Sequence, residues 1–231
     1  MARFRAIVFD IGGTLLYPAR PVGETYAKFA RNYGVNLPPE ATTAAFRAAL
    51  KGSSPRAKGT IPNDGNDRAW WKQVVKGSLG EIPFIGTLEF ETFFEEVYLY
   101  YAKPEAWELY PEVIEVFEAL RDHPVDLIAL SNWDGRLHAV LDGCGLGEFL
   151  PRRFISAELG WEKPDCAIFR HVAEALQYPP HTLLSIGDDH ANDVEGARKA
   201  GWEAALVDRP KCDLWVAVQA LSGKKKAAGR R

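Results

Sequence analysis

Polar side chains stand at or just beyond the ends of four predicted strands, where their types suit chemistry on a phosphate group. They are Asp10 after Ala6–Phe9, Ser131 and Asn132 after Val125–Leu130, Lys163 beyond Phe154–Ile155, and Asp188, Asp189 and Asp193 after Thr182–Ile186. Parallel strands bring their C-terminal ends to one edge of a sheet, so we expect these groups to converge. Clustered carboxylates need a neutralising cation, for which Mg²⁺ is the expected choice. A hydroxyl, an amide and an ammonium suit the oxygens of a phosphoryl group.

Asp10 is the first of these groups, and the turn that follows it is rich in glycine. The apolar run Ala6–Phe9 delivers it to a strand end, where Gly12 and Gly13 break the pattern before Thr14. A carboxylate in that position can serve as a nucleophile or as a metal ligand. Taken alone, this stretch is equally typical of a strand that ends in a simple turn. The later strand ends are what favour a functional site.

The elements that must position these groups alternate between helix and strand from Pro111 onwards. Strands are predicted at 125–130, 154–155, 182–186 and 204–207, and helices at 111–122, 135–144, 165–177 and 191–200. This alternation predicts an α/β fold with a doubly wound, mostly parallel Rossmann-like sheet. The segment 156–164, which holds Lys163, is predicted to be a loop.

Between the first strand and this alternating region, the pattern is helical. Apolar residues recur at helical spacing over 24–33, 40–50, 69–77 and 89–101, with loops predicted at 17–22 and 51–67. We therefore predict an all-helical inserted domain over 17–104, carried by an α/β core formed by 1–16 and 105–222. The basic end, 223–231, is predicted to be a disordered, solvated tail.

The composition is that of a globular protein and argues against some partners. The chain of 231 residues is 47% hydrophobic and 26% charged, and its net charge of −3 argues against a general nucleic-acid binder. No apolar run is long enough to span a membrane, and no signal peptide is recognisable. The 3 cysteines are widely spaced, which favours reduced thiols in a cytoplasmic protein. We expect a monomer or a homodimer.

The strand-end motifs resemble those of the haloacid dehalogenase superfamily. The first family motif is similar to Asp10-Ile11-Gly12-Gly13-Thr14, the second to Ser131, the third to Lys163-Pro164, and the fourth to Gly187-Asp188 with Asp193. The match spans nearly the whole chain, and the helical insertion lies where the family's C1-type cap lies. Trp70-Trp71 and the segment 160–165 are similar to the haloacid dehalogenase-like hydrolase domain proteins related to the rhythmically expressed gene 2 product.

This resemblance implies a Mg²⁺-dependent phosphohydrolase that acts on a small phosphorylated molecule. It implies that Asp10 is the nucleophile and forms an aspartyl-phosphate, as carboxylates do in covalent catalysis. It also implies that Mg²⁺ is held by Asp10, Asp188 and the backbone carbonyl of Gly12.

The remaining motif residues receive roles from the same resemblance. Ser131 and Lys163 are expected to be catalytic groups that hold the phosphoryl oxygens. The expected substrate contacts are Asn132, Gly13 and Thr14. Asp193 is expected to orient Lys163 or the waters of the metal from the second shell of ligands. Asp189 either belongs to the surroundings of the metal or supplies a charge at a helix N-terminus.

Gly12 departs from the family pattern. The family's phosphatases carry an acid there, which protonates the leaving group, and such catalysis is typically worth ~10²–10⁴-fold. Three alternatives remain open: a substrate with a good leaving group, such as an acyl or aryl phosphate; a substitute acid from the cap or from His190; or a binding or regulatory protein with weak chemistry. A 2-haloacid dehalogenase needs no such acid either, but halide displacement needs no cation, and Asp188 favours the phosphohydrolase.

Several other residues have both a functional and a structural interpretation. His190 is either a proton shuttle or a solvated loop residue, and Trp133 and Trp161 either line the substrate entrance or pack in the core. Of the adjacent Trp70 and Trp71, one is expected in the core of the insertion and the other facing the site. Tyr17 and Glu24 either reach the cleft or lie on the surface.

Overall fold

Five parallel strands form the central sheet of this computed structural model, which describes residues 3–53, 64–80 and 88–221. In chain order the strands are β1 (Ala6–Phe9), β2 (Leu16–Pro18), β3 (Trp107–Leu109), β4 (Asp126–Ser131), β5 (Arg152–Ile155), β6 (Leu183–Gly187) and β7 (Glu203–Leu206). The sheet order is β5-β4-β1-β6-β7, and each pairing within it is parallel. The predicted doubly wound α/β fold is confirmed.

Helices connect the strands in the order that the sequence pattern predicts. In chain order they are α1 (Val22–Ala30), α2 (Pro39–Gly52), α3 (Asp64–Leu79), α4 (Leu88–Tyr100), α5 (Val113–Arg121), α6 (Arg136–Gly143), α7 (Ser156–Leu159), α8 (Cys166–Leu176), α9 (Gly196–Lys199) and α10 (Val216–Leu221). The side chain of Asp165 caps α8 by accepting a hydrogen bond from the backbone N of Ala167 at 2.9 Å. A π-helical turn, His190–Glu195, leads into α9.

Strand β1 suits the middle of the sheet because all of its side chains are apolar, and all of them are buried there. Its even-numbered residues pack against α8, and its odd-numbered residues pack against α5. This is the arrangement of a strand covered by helices on both faces. The register places Phe9 beside Ala129 and Ile186, so the residues that follow β1, β4 and β6 meet at one edge of the sheet.

Helices α1–α4, which we call the cap, have a hydrophobic core of their own. Tyr26 packs edge-on against Phe93 within it, with ring centroids 5.8 Å apart. The described elements from α1 to α4 are helical, as predicted, whereas residues 17–18 of the predicted insertion belong to β2. The predicted loop 51–67 is wrong at both ends, because α2 continues to Gly52 and α3 begins at Asp64. Residues 54–63 lie outside the described residues. The predicted domain boundaries at 16/17 and 104/105 stay predictions.

A two-stranded antiparallel ladder joins cap and core, and it corrects the prediction of a loop at 17–22. In this ladder β2 pairs with β3, with Leu16 opposite Leu109 and Pro18 opposite Trp107. The strand forms because the side chain of Leu16 is fully buried in the core and Tyr17 packs on Tyr110 at 4.8 Å between centroids. Both chain crossings between core and cap therefore run side by side.

The segment 156–164 begins with the helical turn α7 and is a loop only beyond it. The predicted tail, 223–231, lies outside the described residues. Among the helices of the described residues, none combines the length and the apolar character needed to cross a membrane.

Candidate active site

Asp10 sits at the C-terminal end of β1, and the groups predicted to converge on it do so. Its Oδ1 accepts hydrogen bonds from Nζ of Lys163 at 2.8 Å and from Oγ of Ser131 at 3.4 Å. Its Oδ2 lies 3.1 Å from Oγ1 of Thr14. The carboxylate remains partly exposed to a cleft between core and cap. Three chain segments far apart in sequence thus meet at one carboxylate.

Lys163 is a buried ammonium held between two carboxylates. Nζ lies 2.8 Å from Oδ1 of Asp10 and 2.5 Å from Oδ1 of Asp193, and only 3% of the side chain is exposed. Burial alone lowers the pKa of Lys163, but the charges of Asp10 and Asp193 outweigh it and raise that pKa. The lysine is therefore charged, which is the form that can bind anionic oxygens.

Three carboxylates form an acidic cluster at this edge of the sheet. The ligand atoms of Asp10, Asp188 and Asp193 all lie within 4.8 Å of one another. Desolvation in the cleft raises the pKa of Asp188, and the charge of Asp193 adds to this effect. Burial likewise raises the pKa of Asp193, although Lys163 acts in the opposite direction. Crowded carboxylates of this kind suit a hard divalent cation with oxygen ligands.

The hydrogen bonds divide this cluster into two kinds of carboxylate. Both oxygens of Asp193 are engaged, one by Lys163 and the other by the backbone N of Asp189 at 3.0 Å. Asp193 is also almost fully buried, with 1% exposure, whereas Asp10 and Asp188 face the cleft. The donor set that fits a Mg²⁺ ion is therefore Asp10 and Asp188, and Asp193 positions Lys163.

Gly13 and Thr14 shape the turn that carries this donor set. Gly13 has φ +85°, and a Cβ atom added to it would lie 2.4 Å from Oδ2 of Asp188. Thr14 is fully buried, accepts a hydrogen bond from the backbone N of Asp188 at 3.0 Å and contacts Asp10. Thr14 thus aligns the two carboxylates from below. It does not face the cleft, where a substrate contact was expected.

Asn132 and Asp189 also act on their neighbours. The side chain of Asn132 exchanges two hydrogen bonds of 2.8 Å with the backbone N and O of Lys163, which fixes the lysine loop. The side chain of Asp189 accepts from the backbone N of Ala191 and Asn192, both at 2.9 Å. Of the two roles left open for Asp189, this geometry matches the charge at a helix start.

A cleft of about 840 Å³ leads from this cluster to the cap. Gly12 and Gly13 lie at its floor, and Trp133, Trp70 and Trp71 are among its walls. A Cβ atom added to Gly12 would lie 3.3 Å from Cζ3 of Trp133, so an indole ring occupies the space beside Gly12. Trp133 therefore takes the cleft-lining position that its sequence neighbourhood suggested.

Other candidates named from the sequence lie elsewhere. Trp161 packs on His171 of α8 with a centroid distance of 6.2 Å, on the face of the sheet that α8 covers. His190 is exposed beside Glu195 at 3.5 Å, as a solvated loop residue would be. The hydroxyl of Tyr17 donates to Glu108 at 2.8 Å. The side chain of Glu24 is exposed outside the cleft.

Sequence reasoning missed the joint between core and cap. Arg136 makes a bidentate ion pair with the buried carboxylate of Asp134, at 2.8 and 2.7 Å. The indole N–H of Trp71 in α3 donates to the same carboxylate at 3.1 Å, and Arg136 donates to the backbone O of Tyr98 in α4 at 2.9 Å. The signal for this joint was a charged pair directly after a strand end.

Arg209 is a second residue that the sequence did not single out. It donates to the backbone O of Gly13 at 3.2 Å and of Thr14 at 2.9 Å, and it pairs with Glu112 at 2.6 Å. Arg209 thereby braces the turn after β1 from outside the cleft. A lone arginine after the last strand carries no sequence pattern that would reveal this contact.

A carboxylate at the end of a central parallel strand, with a lysine, a serine and acidic groups from the next strand ends, is typical of a class of α/β hydrolases with an inserted cap. The chain belongs to the haloacid dehalogenase-like hydrolase family, whose model matches residues 4–201. Haloacid dehalogenase-like hydrolase domain-containing protein 3 of Bos taurus is 29% identical over 214 residues, which cover 90% of this chain and 84% of that relative. The rhythmically expressed gene 2 protein of Drosophila melanogaster is 26% identical over 222 residues, which cover 90% and 84%. The resemblance stated from the motifs is confirmed.

Solved structures agree on the fold. An L-2-haloacid dehalogenase from Xanthobacter autotrophicus superposes with a TM-score of 0.68 at 23% identity and covers 96% of this chain and 84% of its own. A phosphatase of the same superfamily from Thermococcus onnurineus has a TM-score of 0.61 at 22% identity, with 90% and 87% covered. Because one fold carries both activities, the choice between them rests on the site.

Proposed function

We propose that the protein is a Mg²⁺-dependent phosphohydrolase of a small phosphorylated molecule, with Asp10 as the nucleophile. The observation that carries the proposal is the environment of Asp10. Its carboxylate faces the cleft while Lys163 and Ser131 reach the same oxygen, Oδ1, from other strand ends. A phosphoryl group bound above Asp10 would place its oxygens within reach of this ammonium and hydroxyl.

Asp10, Asp188 and the backbone carbonyl of Gly12 are the groups that would hold Mg²⁺. A bound Mg²⁺ would neutralise the crowded carboxylates and polarise the phosphoryl oxygens. Asp193 keeps Lys163 charged and in place, and Thr14 keeps Asp10 and Asp188 aligned. The chain itself thus supplies the positioning on which phosphoryl transfer depends.

The reaction follows from this arrangement in two steps. An oxygen of Asp10 attacks phosphorus, the bond from phosphorus to the leaving oxygen breaks, and the leaving group departs with the electron pair. Water then hydrolyses the aspartyl-phosphate, which releases inorganic phosphate and restores the carboxylate. Closure of the cap, joined to the core through Arg136, would exclude bulk water during these steps.

The acidic cluster favours phosphate hydrolysis over the dehalogenation that some relatives of this fold perform. Displacement of halide by Asp10 requires neither a cation nor Asp188. For halide displacement alone, a second carboxylate beside the nucleophile would bring only repulsion between two like charges.

Phosphate release from 4-nitrophenyl phosphate and acetyl phosphate, with and without Mg²⁺, tests the proposal. We expect Mg²⁺-dependent release that the Asp10→Asn variant lacks, while Asp122→Asn, which changes an exposed carboxylate at the end of α5, retains it. Equal release by Asp10→Asn and the native protein would refute the nucleophile. If neither compound is turned over, chloride release from chloroacetate would identify a dehalogenase, and its absence would direct the search to a protein partner.

A further inference from the structure

A row of aromatic rings leads away from the nucleophile along the cleft. The indole of Trp133 packs on that of Trp107 with centroids 4.7 Å apart, and Trp107 packs on Tyr101 at 5.7 Å. All three side chains line the cleft that contains Asp10. The backbone of Trp133 is fixed because its carbonyl accepts hydrogen bonds from Oγ of Ser156 and the N of Ala157, both at 3.1 Å. We call these three residues the aromatic wall.

The aromatic wall reaches the floor of the cleft at Gly12. A Cβ atom there would stand 3.3 Å from a ring carbon of Trp133, so the space beside Gly12 is apolar. The described residues that line the cleft include no histidine and no cysteine. The carboxylates of Asp188 and Asp193 are committed to Thr14 and Lys163, at the acidic cluster. Beside Gly12, a leaving group that lies along this wall meets ring carbons of Trp133, and the hydroxyl of Tyr101 stands at the other end of the row.

The cap side of the same cleft is also largely aromatic and apolar. The side chains that it contributes include Tyr26, Phe46, Trp71, Phe94, Val97 and Tyr98. Cations stand among them on α2, where Arg47 and Lys51 are one helical turn apart and exposed. A cationic flank attracts an anionic ligand, and flat rings favour a flat apolar body.

We propose that this site hydrolyses phosphate monoesters of aromatic alcohols, a substrate class that rests on the phosphohydrolase function proposed above. The bond between phosphorus and the aryl oxygen breaks, the phosphoryl group passes to Asp10, and the electron pair stays on the aryl oxygen. The ring of the leaving group delocalises that negative charge, so departure needs no proton from the protein. Stacking of the same ring on Trp107 and Trp133 binds the ester.

The test compares 4-nitrophenyl phosphate with acetyl phosphate, since both leaving groups depart without protonation but only one has a ring. We expect the KM for the aryl ester to be at least about 10-fold lower, which corresponds to ~1.4 kcal/mol of binding. Trp107→Leu should raise the KM for the aryl ester about 3- to 10-fold and leave that for acetyl phosphate within about twofold. Trp107→Phe, which keeps a ring, should restore most of the difference.

Trp161→Leu is the matched control, because Trp161 is an equally partly buried indole that lies outside the cleft. It should change neither KM. Turnover of acetyl phosphate by each variant reports that the protein is folded and the phosphoryl site intact. Equal KM values for the two substrates, or equal effects of Trp107→Leu on both, would overturn the aryl assignment alone. No Asp10-dependent release from either substrate would overturn the phosphohydrolase function and this inference with it.

Discussion

Arg136→Ala is expected to destabilise the protein by separating the cap from the core. Arg136 donates from Nε and one terminal nitrogen to the carboxylate of Asp134, and from the other terminal nitrogen to the backbone of Tyr98. Its guanidinium also lies 3.6 Å from the ring centroid of Tyr98. A single side chain thus binds a loop of the core to a helix of the cap.

The magnitude follows from the burial of the ion pair. The side chains of Arg136 and Asp134 are 13% and 2% exposed, and loss of one partner from a buried pair costs ~3–5 kcal/mol. The indole of Trp71 and the backbone N of residue 136 still donate to Asp134 after the substitution. These bonds offset part of the loss, so we expect the free energy of unfolding to fall by about 2–4 kcal/mol.

Urea unfolding measures this effect, with Arg121→Ala as the matched control. Arg121 pairs with Glu118 at 3.2 Å on the surface of α5, where both side chains are more than half exposed. Loss of such a pair costs about 1 kcal/mol or less. If Arg136→Ala lowers the free energy of unfolding no more than Arg121→Ala does, the joint is not a stabilising contact. A second variant, Asp134→Leu added to Arg136→Met, removes the unpaired charge and should recover part of the loss.

Three further substitutions test the geometry at the strand ends. Gly13→Ala should lower the free energy of unfolding by about 1–2 kcal/mol because of its φ of +85°, and it should abolish turnover by displacing Asp188. The control Gly34→Ala, at φ +72° with open space around it, should lose similar stability and keep turnover. Lys163→Met should lower kcat by ~10²–10³-fold, measured by phosphate release, because the ammonium no longer stabilises the transferring group; unchanged kcat would contradict this role. Asp189→Ala should lose about 1 kcal/mol of stability as a lost cap and retain Mg²⁺-dependent turnover, whereas lost turnover would place this carboxylate at the metal.

The parts of the fold that could be predicted are the helices and strands whose own residues show a clear periodicity. The alternation of apolar runs and helical patterns after Pro111 predicts the parallel sheet, because each element carries its own periodicity. The convergence of Asp10, Ser131, Lys163 and Asp188 could also be predicted, because parallel strands bring their C-terminal ends to one edge of the sheet. The structure confirms the sheet and brings these four side chains into one cluster.

What the sequence could not reveal are contacts between distant segments with no periodicity. Strand β2 has only three residues, and its partner β3 lies beyond the whole cap, so neither shows a strand pattern. The burial of Asp134 and Arg136 could not be predicted, because it depends on contacts with two cap helices that are distant in sequence. The position of the Trp133 ring beside Gly12 likewise depends on tertiary packing against Trp107.

The pairing of β2 with β3 makes the cap an exchangeable module. Beyond the ladder, the backbone N of Ala19 donates to the backbone O of Ala106 at 2.9 Å, so the two ends of the insertion are hydrogen-bonded neighbours. A hairpin loop of about 2–5 residues spans such a gap. A protein engineer could therefore replace the segment between these alanines with a short turn or a different cap while β2 and β3 stay paired. Evolution, for the same reason, could vary the cap helices without disturbing the central sheet.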